Sequence, residues 1–328
     1  MRLGTRGSQL ALWQAHTVAR LIAERGGPAC EIVVVRTSGD EPGTGLGPGG
    51  TTAIGSAAPG GGGGGTAVKR LFVKELEEAL ADGRVDLAVH SSKDMPVDLA
   101  PGLRIGAALP REDARDALVL PATRACDGDL DAARRALGEA PRVGTSSLRR
   151  SAQLAAVLPG ASFAPVRGNL DTRLRKLDEG ACEALVLACA GLRRLGLAAR
   201  ISCPVPVDLC VPAPGQGIIA IEIRADDRAA ADAAALLEDE EAADALAAER
   251  SAVQALGGGC QMPIGAHARI DGSTLDLLGV VISPDGRDVA RGRVRGARSR
   301  PAELGRSLAQ ALLAAGAGRI LDAVRRTQ

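Results

Sequence analysis

Four short stretches of the chain concentrate groups that can do chemistry. In His90-Ser91-Ser92-Lys93-Asp94-Met95-Pro96, a lysine and a carboxylate stand side by side just after a strand-like run. Ligands collect at the carboxyl ends of strands in α/β sheets, and a carboxylate there can act as general acid or base or stabilise a developing cation. Taken alone, the stretch can equally be a turn in which Asp94 caps local backbone and Lys93 is solvated. In Gly144-Thr145-Ser146-Ser147-Leu148-Arg149-Arg150, a strand hands over to a hydroxyl-rich turn and a helix start. Free N–H groups, hydroxyls and two arginines suit an anion, although a serine N-cap beside a solvated arginine pair reads the same. In Val166-Arg167-Gly168-Asn169-Leu170-Asp171-Thr172-Arg173, one arginine closes a strand and another lies in the next helix. Guanidinium forks suit carboxylates and stay charged at any working pH. With Arg6 and Ser8 added, these segments predict a cleft for a polyanion. The fourth stretch, Gly257-Gly258-Gly259-Cys260-Gln261-Met262-Pro263-Ile264-Gly265, puts a cysteine on a glycine-rich loop. That suggests close approach or covalent attachment, against a plainly packed thiol.

Composition narrows the choices. The 328 residues carry 40 basic and 39 acidic side chains, a net charge of +1. That balance disfavours a general nucleic-acid or membrane-surface binder. Aromatic residues are only 1% of the chain, so base stacking is a poor model. Seven cysteines without a CxxC pair, and three histidines, disfavour a disulfide framework or a metal site. No apolar run approaches membrane-spanning length, and the N-terminus lacks a signal-peptide pattern. The expectation is a soluble, cytoplasmic protein with no nucleic-acid or membrane partner. Lysine occurs only at Lys69, Lys74, Lys93 and Lys176, all other basic residues being arginine. Lysines that survive such a bias hint at a chemical reason.

Strand-like and helix-like segments alternate through the first two thirds of the chain. Strands are expected at 31–36, 85–90, 103–109, 117–120, 162–166, 184–189 and 218–223, with helices at 73–81, after Ser147 and from about Asn169. This predicts α/β units with largely parallel sheets. Leu109 to Asp113 and Pro212 to Gly217 look like crossings between domains. Beyond Asp226 the chain reads as an alanine-rich helical stretch, then hairpins turning at Asp271-Gly272 and Pro284-Asp285-Gly286, then a closing helix over 301–326. Residues 39–65 read as a mobile loop or insertion. The G-x-G-x-x-G formed there by Gly45, Gly47 and Gly50 is rejected as a dinucleotide site, because Pro48 interrupts it and no helix is expected to follow.

Taken together the segments resemble the porphobilinogen deaminase family. The matching stretches are RLGTRGSQLALWQA (2–15), LFVKELEEALADGRVDLAVHSSKDMP (71–96), REDARDAL (111–118), VGTSSLRRSAQL (143–154), VRGNLDTRLRKLDEG (166–180), LACAGLRRLG (187–196), APGQGIIAIEIR (213–224) and GGGCQMPIGAHA (257–268). The resemblance implies two periplasmic-binding-protein-like (type II) α/β domains plus a small C-terminal α+β domain. Their bounds would be 1–108 with 218–236, 109–217 and 237–328. It implies a transferase that condenses four porphobilinogen molecules, releases ammonia and yields hydroxymethylbilane for tetrapyrrole and haem biosynthesis. A dipyrromethane cofactor would hang from Cys260 by a thioether. Asp94 matches the catalytic aspartate, assisting loss of the aminomethyl nitrogen and stabilising cationic pyrrole states. Lys93, Thr145, Ser147, Arg149 and Arg150 match cofactor contacts, and Arg6, Ser8, Arg167, Arg173 and Gln216 match substrate contacts. Lys69 fills a lysine position, although Arg70 stands where glycine is common. The family suggests a monomer whose product passes to uroporphyrinogen-III synthase. Two rivals remain: a non-enzymatic organic-anion-binding module of periplasmic-binding-protein type, and a cysteine hydrolase using His267 as base for Cys260.

Overall fold

The computed structural model describes residues 1–35, 64–124, 128–259 and 262–327, with side chains between 64 and 72 excluded. Gly45, Gly47, Gly50, residues 39–63 of the glycine-rich stretch, Cys260 and the Lys69 side chain lie outside the described residues.

The first part of the chain runs β1 (Arg2–Thr5), α1 (Gln9–Glu24), β2 (Glu31–Val34), α2 (Gly64–Ala81), β3 (Leu87–Ser91) and β4 (Leu103–Ala108). It crosses over into β5 (Asp116–Val119), α3 (Leu130–Leu137), β6 (Arg142–Gly144), α4 (Leu148–Val157), β7 (Ser162–Ala164), α5 (Leu170–Asp178), β8 (Ala184–Ala188), α6 (Cys189–Arg194) and β9 (Cys203–Pro204). It then returns through β10 (Ile219–Arg224) and α7 (Arg228–Ala235). The remainder is α8 (Glu240–Ala255), β11 (Ile264–Asp271), β12 (Thr274–Ile282), β13 (Val289–Ala297), α9 (Pro301–Ala314) and α10 (Ala317–Arg326).

Two five-stranded sheets share one plan. Their orders are β2-β1-β3-β10-β4 and β7-β6-β8-β5-β9. In each, the first three strands are parallel and the fourth is antiparallel to both its neighbours. That fourth strand is the one the chain lays down just after crossing between the sheets. The third sheet, β11-β12-β13, is an antiparallel meander packed on α8, α9 and α10 through a core that includes Leu275, Leu277, Leu308 and Leu312.

Local chemistry explains the elements. All five residues of β8 are buried, the continuous apolar run of a strand covered on both faces. Asp227 and Asp239 accept from the N–H groups of Ala230 and Ala242, capping α7 and α8. Four expectations need correction. The sheets expected to be largely parallel have two antiparallel pairings out of four each, because the fourth strand arrives from the other lobe and runs against its neighbours. The strand expected to run to Val166 stops at Ala164, because Pro165 has no N–H for the ladder. The strand expected to include Cys189 ends at Ala188, and Cys189–Arg194 is the helix α6; a short buried apolar run does not by itself separate strand from helix. The closing helix is two helices bent by 82°, because Gly316 adopts a left-handed φ of 98° between them.

Candidate active site

In the first lobe, β3 ends in a single 3-10 turn, Ser92–Asp94. The Ser92 N–H donates to the Ile218 carbonyl at 3.0 Å, the Met95 N–H donates to the Ser92 carbonyl at 3.1 Å, and the Met95 side chain is buried. These bonds fix the turn that carries Lys93 and Asp94 at the carboxyl end of the strand. Lys93 Nζ donates to Gln216 Oε1 at 3.3 Å, reaching the second crossing.

The second lobe meets it with a buried charge cluster. Asp116, at the start of β5, is fully buried. Arg149 lies 2.8 Å from one of its oxygens, and Arg150 bonds the other from both Nε, at 2.9 Å, and NH2, at 2.7 Å. Gln216 donates to the same oxygen at 2.9 Å and to the Ala114 carbonyl at 2.6 Å. Burial opposes ionisation of Asp116, but the two guanidinium groups win and hold its carboxyl well below the usual carboxylate range. Arg149 also donates to the Val211 carbonyl and Arg150 to the Val186 carbonyl. Both arginines are therefore rigid, with their forks oriented before any ligand arrives.

The other candidate residues sit around this centre. Arg173 donates from Nε to the Gly168 carbonyl at 2.8 Å. Burial first, then repulsion from Arg150, lowers its guanidinium, while Asp94 acts the other way. Arg150 and Asp94 thus both act on Arg173, Asp94 from the other lobe. Arg6 follows β1 and is half-buried, and Arg167 is exposed beyond β7. Ser8 accepts from the Ala11 N–H as the cap of α1, and Thr145 accepts from the Ser147 N–H, so both hydroxyls already serve the backbone.

Three residues that sequence reasoning did not single out complete the site. Asp116 is the first. Glu249, on α8, is fully buried and binds Arg111 at 2.6 Å, the Gly215 N–H at 2.6 Å and the Ala268 N–H at 2.6 Å. One carboxylate therefore ties both crossings to the third sheet. Arg194, at the end of α6, donates to the Gly217 carbonyl at 2.6 Å. Burial lowers its guanidinium to about 10, with Glu112 opposing. Gly217 is required there: its φ is 91°, and a Cβ would stand 2.2 Å from the Glu112 carbonyl oxygen. The available signal was a charge at an inward position. Asp116 opens an apolar strand, and Glu249 falls on the buried stripe of α8 with Ala245, Leu246, Ala252 and Val253.

The described thiols and imidazoles do not make a hydrolase. Burial pushes Cys189 and Cys210 up to about 12. His267 is lowered to about 4, mainly by burial and then by Arg111, which leaves a poor general base at neutral pH.

Comparison with known proteins decides the family. Residues 1–232 match the model described as porphobilinogen deaminase, dipyromethane cofactor binding domain, and residues 243–314 match its C-terminal domain. The chain belongs to the porphobilinogen deaminase family. The porphobilinogen deaminase of Acidithiobacillus ferrooxidans is 45% identical, covering 99% of this chain and 98% of that one. The porphobilinogen deaminase of Moorella thermoacetica is 43% identical over 99% and 96%. Among solved structures, the Bordetella pertussis BvgS VFT2 domain is 14% identical with a TM-score of 0.40, covering 72% of this chain and 85% of that one. An ancestral cationic amino acid solute binding protein is 13% identical with a TM-score of 0.41, covering 72% and 87%. The family's first domain is the one named for a dipyrromethane cofactor, and the charged site of this chain fits a carboxylate-bearing group. Lys93, Arg111, Arg149, Arg150, Arg173 and Arg194 outnumber Asp94, Asp116 and Glu249, so the site keeps a cationic surplus. Guanidinium groups already oriented by protein carbonyls lose little entropy on meeting such a ligand.

Proposed function

We propose that this enzyme is a transferase that condenses porphobilinogen units stepwise, with release of ammonia, and hydrolyses the chain to hydroxymethylbilane. The observation that carries the reading is the meeting of the Lys93–Asp94 turn with the Asp116–Arg149–Arg150–Gln216 cluster, in a chain of this family. When bound, the dipyrromethane group supplies a covalent primer for the growing chain. Cys260 is its attachment point, and Lys93, Thr145, Ser147, Arg149 and Arg150 hold it. Asp94 takes and returns the proton at the reacting pyrrole and offsets positive charge as the aminomethyl nitrogen leaves. Arg6, Ser8, Arg167, Arg173, Gln216 and Lys69 receive the acetate and propionate groups of incoming units.

The three sheets support a division into 1–108 with 218–236, 109–217 and 237–328. We also place the enzyme in the cytoplasm as a monomer, handing its product to uroporphyrinogen-III synthase. Cys30, Cys182, Cys189, Cys203 and Cys210 are thiols outside any disulfide, which suits a reducing compartment, and one chain supplies every group named above.

Intact-mass measurement tests the central claim. Protein from cells that make porphobilinogen should carry the added mass of two linked pyrrole units, and Cys260→Ser protein should not. Wild-type protein that stays unmodified and inert after incubation with porphobilinogen would refute the reading.

A further inference from the structure

Behind the Lys93–Asp94 turn lies a group of buried ionisable side chains that the proposed reaction does not use. His90, on β3, is 6% exposed and Glu222, on β10, is 0% exposed. His90 Nε2 stands 3.0 Å from Glu222 Oε2. That nitrogen and both Glu222 oxygens are buried without an aligned hydrogen bond, and so is Oε1 of Glu77 on α2. Such groups carry a desolvation cost unless charge or protonation offsets it. Burial, and then Glu222, raise the Glu77 carboxyl, with the Ala100 N–H and His90 opposing. Other charges nearby are engaged elsewhere. Arg224 of β10 donates to the Leu80 and Val85 carbonyls and pairs with Asp86 and Asp227. Lys74 and Glu78 of α2 pair with each other, and Arg104 of β4 is exposed. Burial and the neighbouring Glu222 carboxylate therefore favour the protonated form of Glu77.

The two strands that hold this set also hold the site. Ala220 pairs with His90 and Glu222 with Ala88 in the antiparallel ladder. β3 runs on from His90 to Lys93 and Asp94, and β10 follows directly from Gln216. Lys93 and Gln216 form one side-chain rung between the two segments, and His90 and Glu222 form another.

We propose that His90 is a positioning residue for Asp94: its contact with Glu222, closed from α2 by Glu77, holds the end of β3 in the register that aims Lys93 and Asp94 into the cleft. This rests on the deaminase reading of the site. Ionisation of Glu77 adds negative charge beside Glu222, between α2 and the sheet, and the turn loses its aim.

The test is kcat and KM against pH for full-length holoenzyme, as wild type, His90→Gln and Glu77→Gln. Wild-type protein is checked first for bound dipyrromethane and porphobilinogen turnover; failure there sinks the deaminase reading itself, and this proposal with it. With that in hand, His90→Gln should lower kcat about tenfold with cofactor load retained, a loss in keeping with a misaimed reacting group. Its KM should stay within about twofold, because the carboxylate-binding arginines are untouched. Wild type should lose kcat as pH rises through the ionisation of Glu77, which burial and Glu222 raise above the ordinary carboxylate range. Glu77→Gln, which keeps a neutral group of the same shape, should flatten that limb. Superimposable pH profiles for wild type and Glu77→Gln, or a His90→Gln kcat within about twofold of wild type, would overturn the proposal. If His90→Gln fails to fold, the Glu77→Gln profile decides alone.

Discussion

In the first sheet the returning strand β10 sets a buried Glu222 against a single imidazole, His90. In the second sheet the equivalent strand β5 sets a buried Asp116 against two guanidinium groups and the Gln216 amide. The strand order is the same and the neighbours are equally parallel or antiparallel. The electrostatic outcome is opposite. The first lobe sets one carboxylate against one imidazole, whereas the second sets one carboxylate against two guanidinium groups and so keeps fixed positive charge. Backbone topology therefore decides where groups converge, and side-chain identity decides what charge each half presents.

The comparison can be broken most sharply at Asp94. Asp94→Ala should keep its fold and KM while kcat falls about 10²–10⁴-fold, the usual worth of a positioned acid–base group. A steady-state assay with a melting curve checks this; near-normal turnover would remove the chemical half from the first lobe. Asp116→Ala should act through stability instead. Removing the carboxylate leaves two buried arginines uncompensated, a loss of about 3–5 kcal/mol read from urea unfolding. A variant as stable as wild type would show that the cluster is not electrostatically coupled. Arg173→Lys keeps the charge but loses the fork, and should raise KM about tenfold with a smaller change in kcat.

Two pH effects sharpen the contrast further. Asp116 has a depressed folded pKa, so its stabilisation is present above the unfolded value of 3.8 and is lost as pH falls through the lower folded one. The stability gap between wild type and Asp116→Asn should therefore narrow only in strong acid. His267 is depressed from 6.5 to about 4 in the fold. Below about 6.5 the unfolded chain takes up a proton that the folded one refuses, so stability should fall between those two values. His267→Gln should remove that slope and leave turnover near wild type, whereas a hydrolase would lose its base.

Much of the site was legible because each motif is contiguous and ends a strand: Asp94 after β3, Arg149 and Arg150 after β6. What was not legible depends on pairing across long separations. Nothing near Asp116 in sequence announces Arg149 and Arg150, and nothing near Glu249 announces Arg111 or Gly215. The same holds for Glu222, which reads as a charge inside an apolar strand until the His90 side chain is seen 3.0 Å away on the neighbouring strand. The element ends that shifted have local causes: Pro165 cuts β7 short, and Gly316 breaks the closing helix. The helix α1 buries only Gln14, Ala15, Val18 and Ile22, a narrow apolar stripe that gives a weak periodic signal.

The exchange of fourth strands has a consequence for how the chain is made. β10 lies between β3 and β4, so the first sheet cannot close until residues 219–224 have left the ribosome. By then the whole second lobe, β5 included, is already available to fold. The lobe that begins the sequence is thus the later one to be completed, its unpaired β3 edge waiting through the synthesis of the other. Such an edge is a natural client for holding chaperones, and its closure over so long a loop sets a slow, late step in folding.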